Sequence, residues 1–160
     1  MFTVLADVSA AFLLVHHAPS PGIRFLLVVL AGVALYWAGM ILNDVFDIEK
    51  DRAQRPHRPI PAGLIGLGKA RAAGWLFLLA GIGIAAISGR IPTEGVPLTW
   101  LPALVGLALA IMILAYDGPL KKTPLAPVAM GSCRVLSFLL GASPCFPIVA
   151  GTPLFEKYLL

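Results

Sequence analysis

Apolar residues are gathered into long runs separated by short polar stretches. Residues 23–42, 70–88 and 98–116 are each about the 20 apolar residues needed to cross a bilayer at ~1.5 Å per residue. Residues 125–143 form a fourth such run, with Arg134 embedded in it. Residues 2–15 are apolar but shorter, and Asp7 interrupts them. No basic stretch precedes that run, so a half-length first span is expected rather than a signal peptide. After Ser143 the text PCFPIVAGTPLFEKYLL is broken by Pro144, Pro147 and Pro153 and predicts no span. The pattern predicts an all-α, multi-pass transmembrane bundle of about five spans, forming one membrane domain over residues 1–160. Both ends read as cut edges.

Composition agrees with a lipid setting. Hydrophobic residues make up 59% and charged residues 12%, with a mean hydropathy of +0.90. A soluble domain carries about twice that charged fraction. The net charge of +4 speaks to topology and anionic head groups. No basic run interleaved with aromatics suggests a nucleic-acid partner. Cys133 and Cys145 lack the spacing of a zinc site or a disulfide framework and read as small apolar fillers.

Basic residues cluster in the connection 43–71 and again at Lys121 and Lys122. The opposite connections hold Arg24 and Arg90, with His16 and His17 read as interfacial. By the positive-inside rule the first two connections face the cytoplasm, which suits a bacterial inner membrane. Trp37, Trp75 and Trp100 read as interface anchors or bundle packing.

The chemistry sits in residues 43–51, NDVFDIEKD, directly after the run that ends at Leu42. If the helix continues, Asp44, Asp47 and Asp51 fall within about 60° on one face, at i, i+3 and i+7, and Glu49 points away. Three carboxylates on one stripe repel one another, an arrangement a cation would relieve. Hard oxygen donors favour Mg²⁺ or Ca²⁺, and Mg²⁺ commonly combines one or two carboxylates with substrate phosphate oxygens. Arg52, Arg55, His57 and Arg58 follow at once in RAQRPHRPIPAG, where guanidinium groups suit phosphate. Pro56, Pro59 and Pro61 stiffen this loop, and Gly63 permits a turn. Acid stripe and basic loop together read as a Mg²⁺–diphosphate site.

On these residues the chain resembles the UbiA superfamily of intramembrane prenyltransferases, whose first motif reads NDxxDxxxD before a stretch ending RPLPSG or similar. YDGPLKKTPLAPVAMGSCRVLSFLLGAS is similar to a stretch of the EboC-like subgroup. The resemblance implies a larger helical bundle in which Mg²⁺ bridges aspartates and a prenyl diphosphate, whose allylic cation an acceptor attacks. It puts Asp44, Asp47 and Asp51 at the metal, with Asn43 beside them. It assigns phosphate contacts to Arg58 and to Lys121 or Lys122, with Arg52 a further candidate. Tyr116 would face the cavity near the developing cation. Tyr116 precedes Lys121 by five positions, where the family commonly has four. The family's second aspartate-rich motif would lie beyond Leu160.

Arg134, costing at least ~2.5 kcal/mol at a bilayer centre, needs a partner. Asp7 is the structural candidate, and a diphosphate or acceptor is the functional one. A different class of function also fits: a non-catalytic membrane component that binds or helps move an isoprenoid-like or aromatic metabolite.

Overall fold

The computed structural model describes residues 2–16, 22–93, 96 and 98–145. Among these residues six helices follow in order: α1 (Phe2–His16), α2 (Ile23–Phe46), α3 (Ile48–Gln54), α4 (Leu67–Arg90), α5 (Leu101–Asp117) and α6 (Ala126–Ala142). Short 3₁₀ turns lie at Leu120–Lys122 and Ser143–Cys145. Among the described residues there is no strand, and Thr93 and Val96 make one isolated bridge. His17, the loop at residues 17–21 and the tail after Cys145 lie outside the described residues, as does the His16 side chain.

The chain is an integral membrane protein. Ile23–Phe46, Leu67–Arg90 and Ala126–Cys145 are long and apolar enough to cross a bilayer, and Phe2–Val15 and Leu101–Asp117 are shorter apolar helices. Leu30, Leu76, Leu104 and Ile111 are exposed on the outer faces. Such residues would be a liability in water but are the ordinary covering of a lipid-facing surface.

α2 is the central element. Its most extensive contact is with α4, and it also touches α1, α5 and α6, while α6 closes the bundle against α1. Val8, Val28, Leu35, Leu42, Leu78 and Leu140 form the heart of one buried cluster. Small residues set the helix spacing. A Cβ on Gly81 would stand 2.7 Å from Leu35 Cγ, and one on Gly141 would stand 2.2 Å from the Val8 carbonyl oxygen. Such close approach is how membrane helices gain packing where lipid supplies little hydrophobic drive.

The end of α2 opposite the acidic segment is tied by Arg24, which is 3% exposed. Its Nε donates to the Ile91 carbonyl at 2.8 Å and its Nη1 to the Pro144 carbonyl at 2.8 Å. One guanidinium thus joins the α4 terminus and the turn after α6 to the start of α2. Read from sequence, Arg24 marked the poorly charged side of the membrane; in the fold it is a buried tie.

Candidate metal–diphosphate site

The acidic segment keeps helical geometry through a break. α2 ends at Phe46, Asp47 sits at φ −85°, ψ 4°, and α3 begins at Ile48. The backbone ladder nevertheless runs on, with the Asp47 N–H donating to the Asn43 carbonyl at 3.0 Å and the Asp51 N–H to the Asp47 carbonyl at 2.9 Å. Side chains at i, i+3 and i+7 therefore stay on one side of the helix.

The following loop folds back over that face. The Ala62 N–H donates to the Arg58 carbonyl at 2.8 Å, and the Ile65 N–H to the Pro59 carbonyl at 3.1 Å. Gly63, at φ +76°, makes the left-handed turn that a side chain would resist. Arg58 is thereby delivered to the stripe. Its Nη1 donates to Asp51 Oδ2 at 2.7 Å and to Asp44 Oδ1 at 3.2 Å. Asp51 is buried, whereas Asp44 is about half exposed. The hydrogen bond to Asp51 and the charges of Asp51, Asp44 and Asp47 hold the Arg58 guanidinium above its ordinary pKa, against partial desolvation.

A second cation takes the remaining members. Lys121 Nζ donates to both Asn43 Oδ1 and Asp47 Oδ2, joining the turn after α5 to the end of α2. The stripe is thus divided, Asp44 and Asp51 to Arg58, Asn43 and Asp47 to Lys121. Among the described residues, no three carboxylate, imidazole or thiol groups converge on one point. The donor set still suits a hard cation using one or two carboxylates with phosphate oxygens, since each carboxylate is already drawn to a positive group.

The other sequence candidates fall in different places. Arg52 is engaged by Glu49 at 2.9 Å, and both side chains are exposed. Lys122 is exposed. Tyr116 is half-buried on the wall of an inner cavity of about 370 Å³. Arg134 borders that cavity too, and its Nη2 lies 3.1 Å from Asp7 Oδ2. The Asp7–Arg134 pair expected on structural grounds is present. A second cavity, of about 350 Å³, lies on the Arg58 side and is bordered by Asp44, Asp51, Arg58 and Lys69 among Ile41 and Ile60.

One titratable group was not singled out from the sequence. Asp117 closes α5 one residue past the apolar run 98–116, and it is 6% exposed on the wall of the inner cavity. Its Oδ2 has no hydrogen-bond partner among the described residues. Burial pushes its carboxyl up to about 6; Lys121 opposes the rise and Asp47 and Asp44 add to it. A carboxylate at a helix end is ordinarily solvated, and only the packing of α6 over this one reveals otherwise.

Comparison with known proteins bears on this geometry. Residues 3–155 match the model of the UbiA prenyltransferase family. The digeranylgeranylglyceryl phosphate synthase of Methanobrevibacter smithii is 31% identical over 158 residues, which are 98% of this chain and 53% of that protein. Its namesake from Methanoculleus marisnigri is 37% identical over 113 residues, 69% of this chain and 37% of that protein. A solved chain from work on digeranylgeranylglyceryl phosphate synthase in membranes shares the fold, with a TM-score of 0.77 at 23% identity. That likeness covers 91% of this chain and 49% of the other. The chain therefore spans about half or less of the length of these relatives.

Proposed function

Because this chain belongs to the UbiA prenyltransferase family, we propose that it binds a prenyl diphosphate for metal-dependent prenyl transfer within the membrane. The reaction would move an isoprenoid from its diphosphate to an acceptor within the bilayer. The observation that carries this reading is the divided stripe, in which Asn43, Asp44, Asp47 and Asp51 share a helix side and are held by Arg58 and Lys121.

Ion pairs of this kind are exchangeable. Asp44, Asp47 and Asp51 would hold Mg²⁺, which when bound neutralises charge gathering on the diphosphate. Arg58 and Lys121, released from carboxylates, would turn to phosphate oxygens, and exposed Lys122 would join them. The bond from C1 of the isoprenoid to the bridging oxygen breaks, and its electron pair leaves with the diphosphate. An acceptor atom bonds to C1 and gives up a proton. Tyr116, on the wall of the inner cavity, offers an aromatic face to positive charge developing at C1. The basic connections favour the cytoplasmic side for this end of the bundle, which suits a bacterial inner membrane.

Geranylgeranyl diphosphate is the natural probe, because the relatives are named as digeranylgeranylglyceryl phosphate synthases. The full chain in lipid nanodiscs should bind it in a Mg²⁺-dependent manner. Asp44→Ala or Asp47→Ala should weaken that binding more than about tenfold, a loss of ~1.4 kcal/mol. Binding that ignores both Mg²⁺ and these substitutions would falsify the reading.

A further inference from the structure

The two cavities flanking the stripe differ in chemistry. The outer one presents Arg58 and Lys69 beside Asp44 and Asp51, a mixture that can accommodate a diphosphate with a cation. The inner one is lined chiefly by apolar groups such as Leu35, Leu109 and Ile113, and carries Asp117 at the end near Asn43. Burying a carboxylate oxygen with no donor to meet it is costly. Such an atom in a folded protein calls for a missing partner. A diphosphate cannot be that partner, since like charges would repel; a neutral group with an O–H can.

We propose that the inner cavity is the acceptor site, that the acceptor presents an alcohol or phenol O–H to Asp117 Oδ2, and that Asp117 takes its proton. This rests on the prenyl-transfer reading above. In the step, the acceptor O–H bond breaks and its proton passes to Asp117. The acceptor oxygen bonds to C1 while the C1–diphosphate bond breaks, its electron pair leaving with the diphosphate. The products are the prenyl ether, free diphosphate and a protonated Asp117, which then loses its proton to water. Lys121, Asp44, Asp47, Tyr36, Tyr116, Cys133 and Arg134 are the titratable or charged groups around Asp117. Burial, only partly offset by Lys121, raises the carboxyl to about 6. It is therefore ionised at neutral pH yet basic enough to accept a proton, the balance a general base requires.

Infrared difference spectroscopy of the full chain in nanodiscs tests this at pH 7.5, with geranylgeraniol and its methyl ether as probes. The Asp117 carboxylate band, assigned by its loss in Asp117→Asn, should shift with the alcohol and not with the ether, which has no O–H to give. Asp117→Asn should lower affinity for the alcohol at least tenfold while changing geranylgeranyl diphosphate affinity far less. Equal responses to alcohol and ether would overturn the assignment, as would an Asp117→Asn loss confined to the diphosphate. If Asp117→Asn fails to fold, Asp117→Glu, which displaces the carboxylate band instead of removing it, supplies the assignment, and the wild-type comparison of alcohol with ether decides. If wild type binds no geranylgeranyl diphosphate but its band still distinguishes alcohol from ether, the donor reading fails and the hydroxyl site stands.

Discussion

The two ends of α2 each hold buried or half-buried cations, and they use them in opposite ways. Arg24 and Asn43 are 19 residues apart, about 28 Å along a helix rising ~1.5 Å per residue. At the Arg24 end the guanidinium is spent on main-chain carbonyls of Ile91 and Pro144. At the Asn43 end, Arg58 and Lys121 are spent on carboxylates and an amide side chain. Main-chain carbonyls have nowhere to go when their donor leaves. Aspartates can trade a guanidinium for a metal ion. The difference separates a cation that holds the bundle together from cations that a ligand can displace.

The sharpest way to break this contrast is at Arg24. Arg24→Leu leaves buried carbonyls without a donor and should cost ~3 kcal/mol or more. Thermal unfolding in detergent should show a large fall that Mg²⁺ does not recover. Recovery by Mg²⁺ would erase the distinction between the ends. Arg58→Gln should have a middle-sized effect, because Asp51 and Asp44 lose their shared counter-charge. Geranylgeranyl diphosphate affinity should fall about tenfold, ~1.4 kcal/mol. Unlike Arg24→Leu, this variant should gain more thermal stability from Mg²⁺ than wild type does, since the ion replaces the missing cation. An equal gain in both proteins would argue against exchange at the stripe. Arg52→Ala should do least. Its exposed i, i+3 pair with Glu49 is a surface contact of small worth, and diphosphate affinity should stay within about twofold. A tenfold fall in the same binding assay would return Arg52 to the site.

The sequence made some of this legible for a clear physical reason. Apolar runs of membrane-crossing length reveal an all-helical bundle because lipid leaves the backbone few alternatives. The 3- and 4-residue spacing of Asp44, Asp47 and Asp51 reveals a shared side because Asp47 keeps helical hydrogen bonds to Asn43 and Asp51 across the break between α2 and α3. The Asp7–Arg134 pair was readable because unpartnered charges among apolar neighbours are few. What could not be read depends on contacts distant in the chain. Lys121 reaches Asn43 across 78 positions, and no local pattern says which lysine of the Lys121–Lys122 pair will do so. Arg24 looks from its neighbours like an interfacial anchor. Asp117 looks like a solvated helix end until α6 is laid over it.

Arg24 also bears on how the protein is made. A chain emerging from its N-terminus presents Arg24 well before its acceptors, which follow 67 and 120 positions later. During that interval the guanidinium must stay with water or head groups, its aliphatic stem reaching along the membrane boundary. The Ile91 carbonyl can take it once α4 is in place, but both acceptors are present only after the turn following α6 has been synthesised and brought alongside. Sealing of this end of the bundle therefore follows the synthesis of α6, whatever order the helices take in entering the membrane.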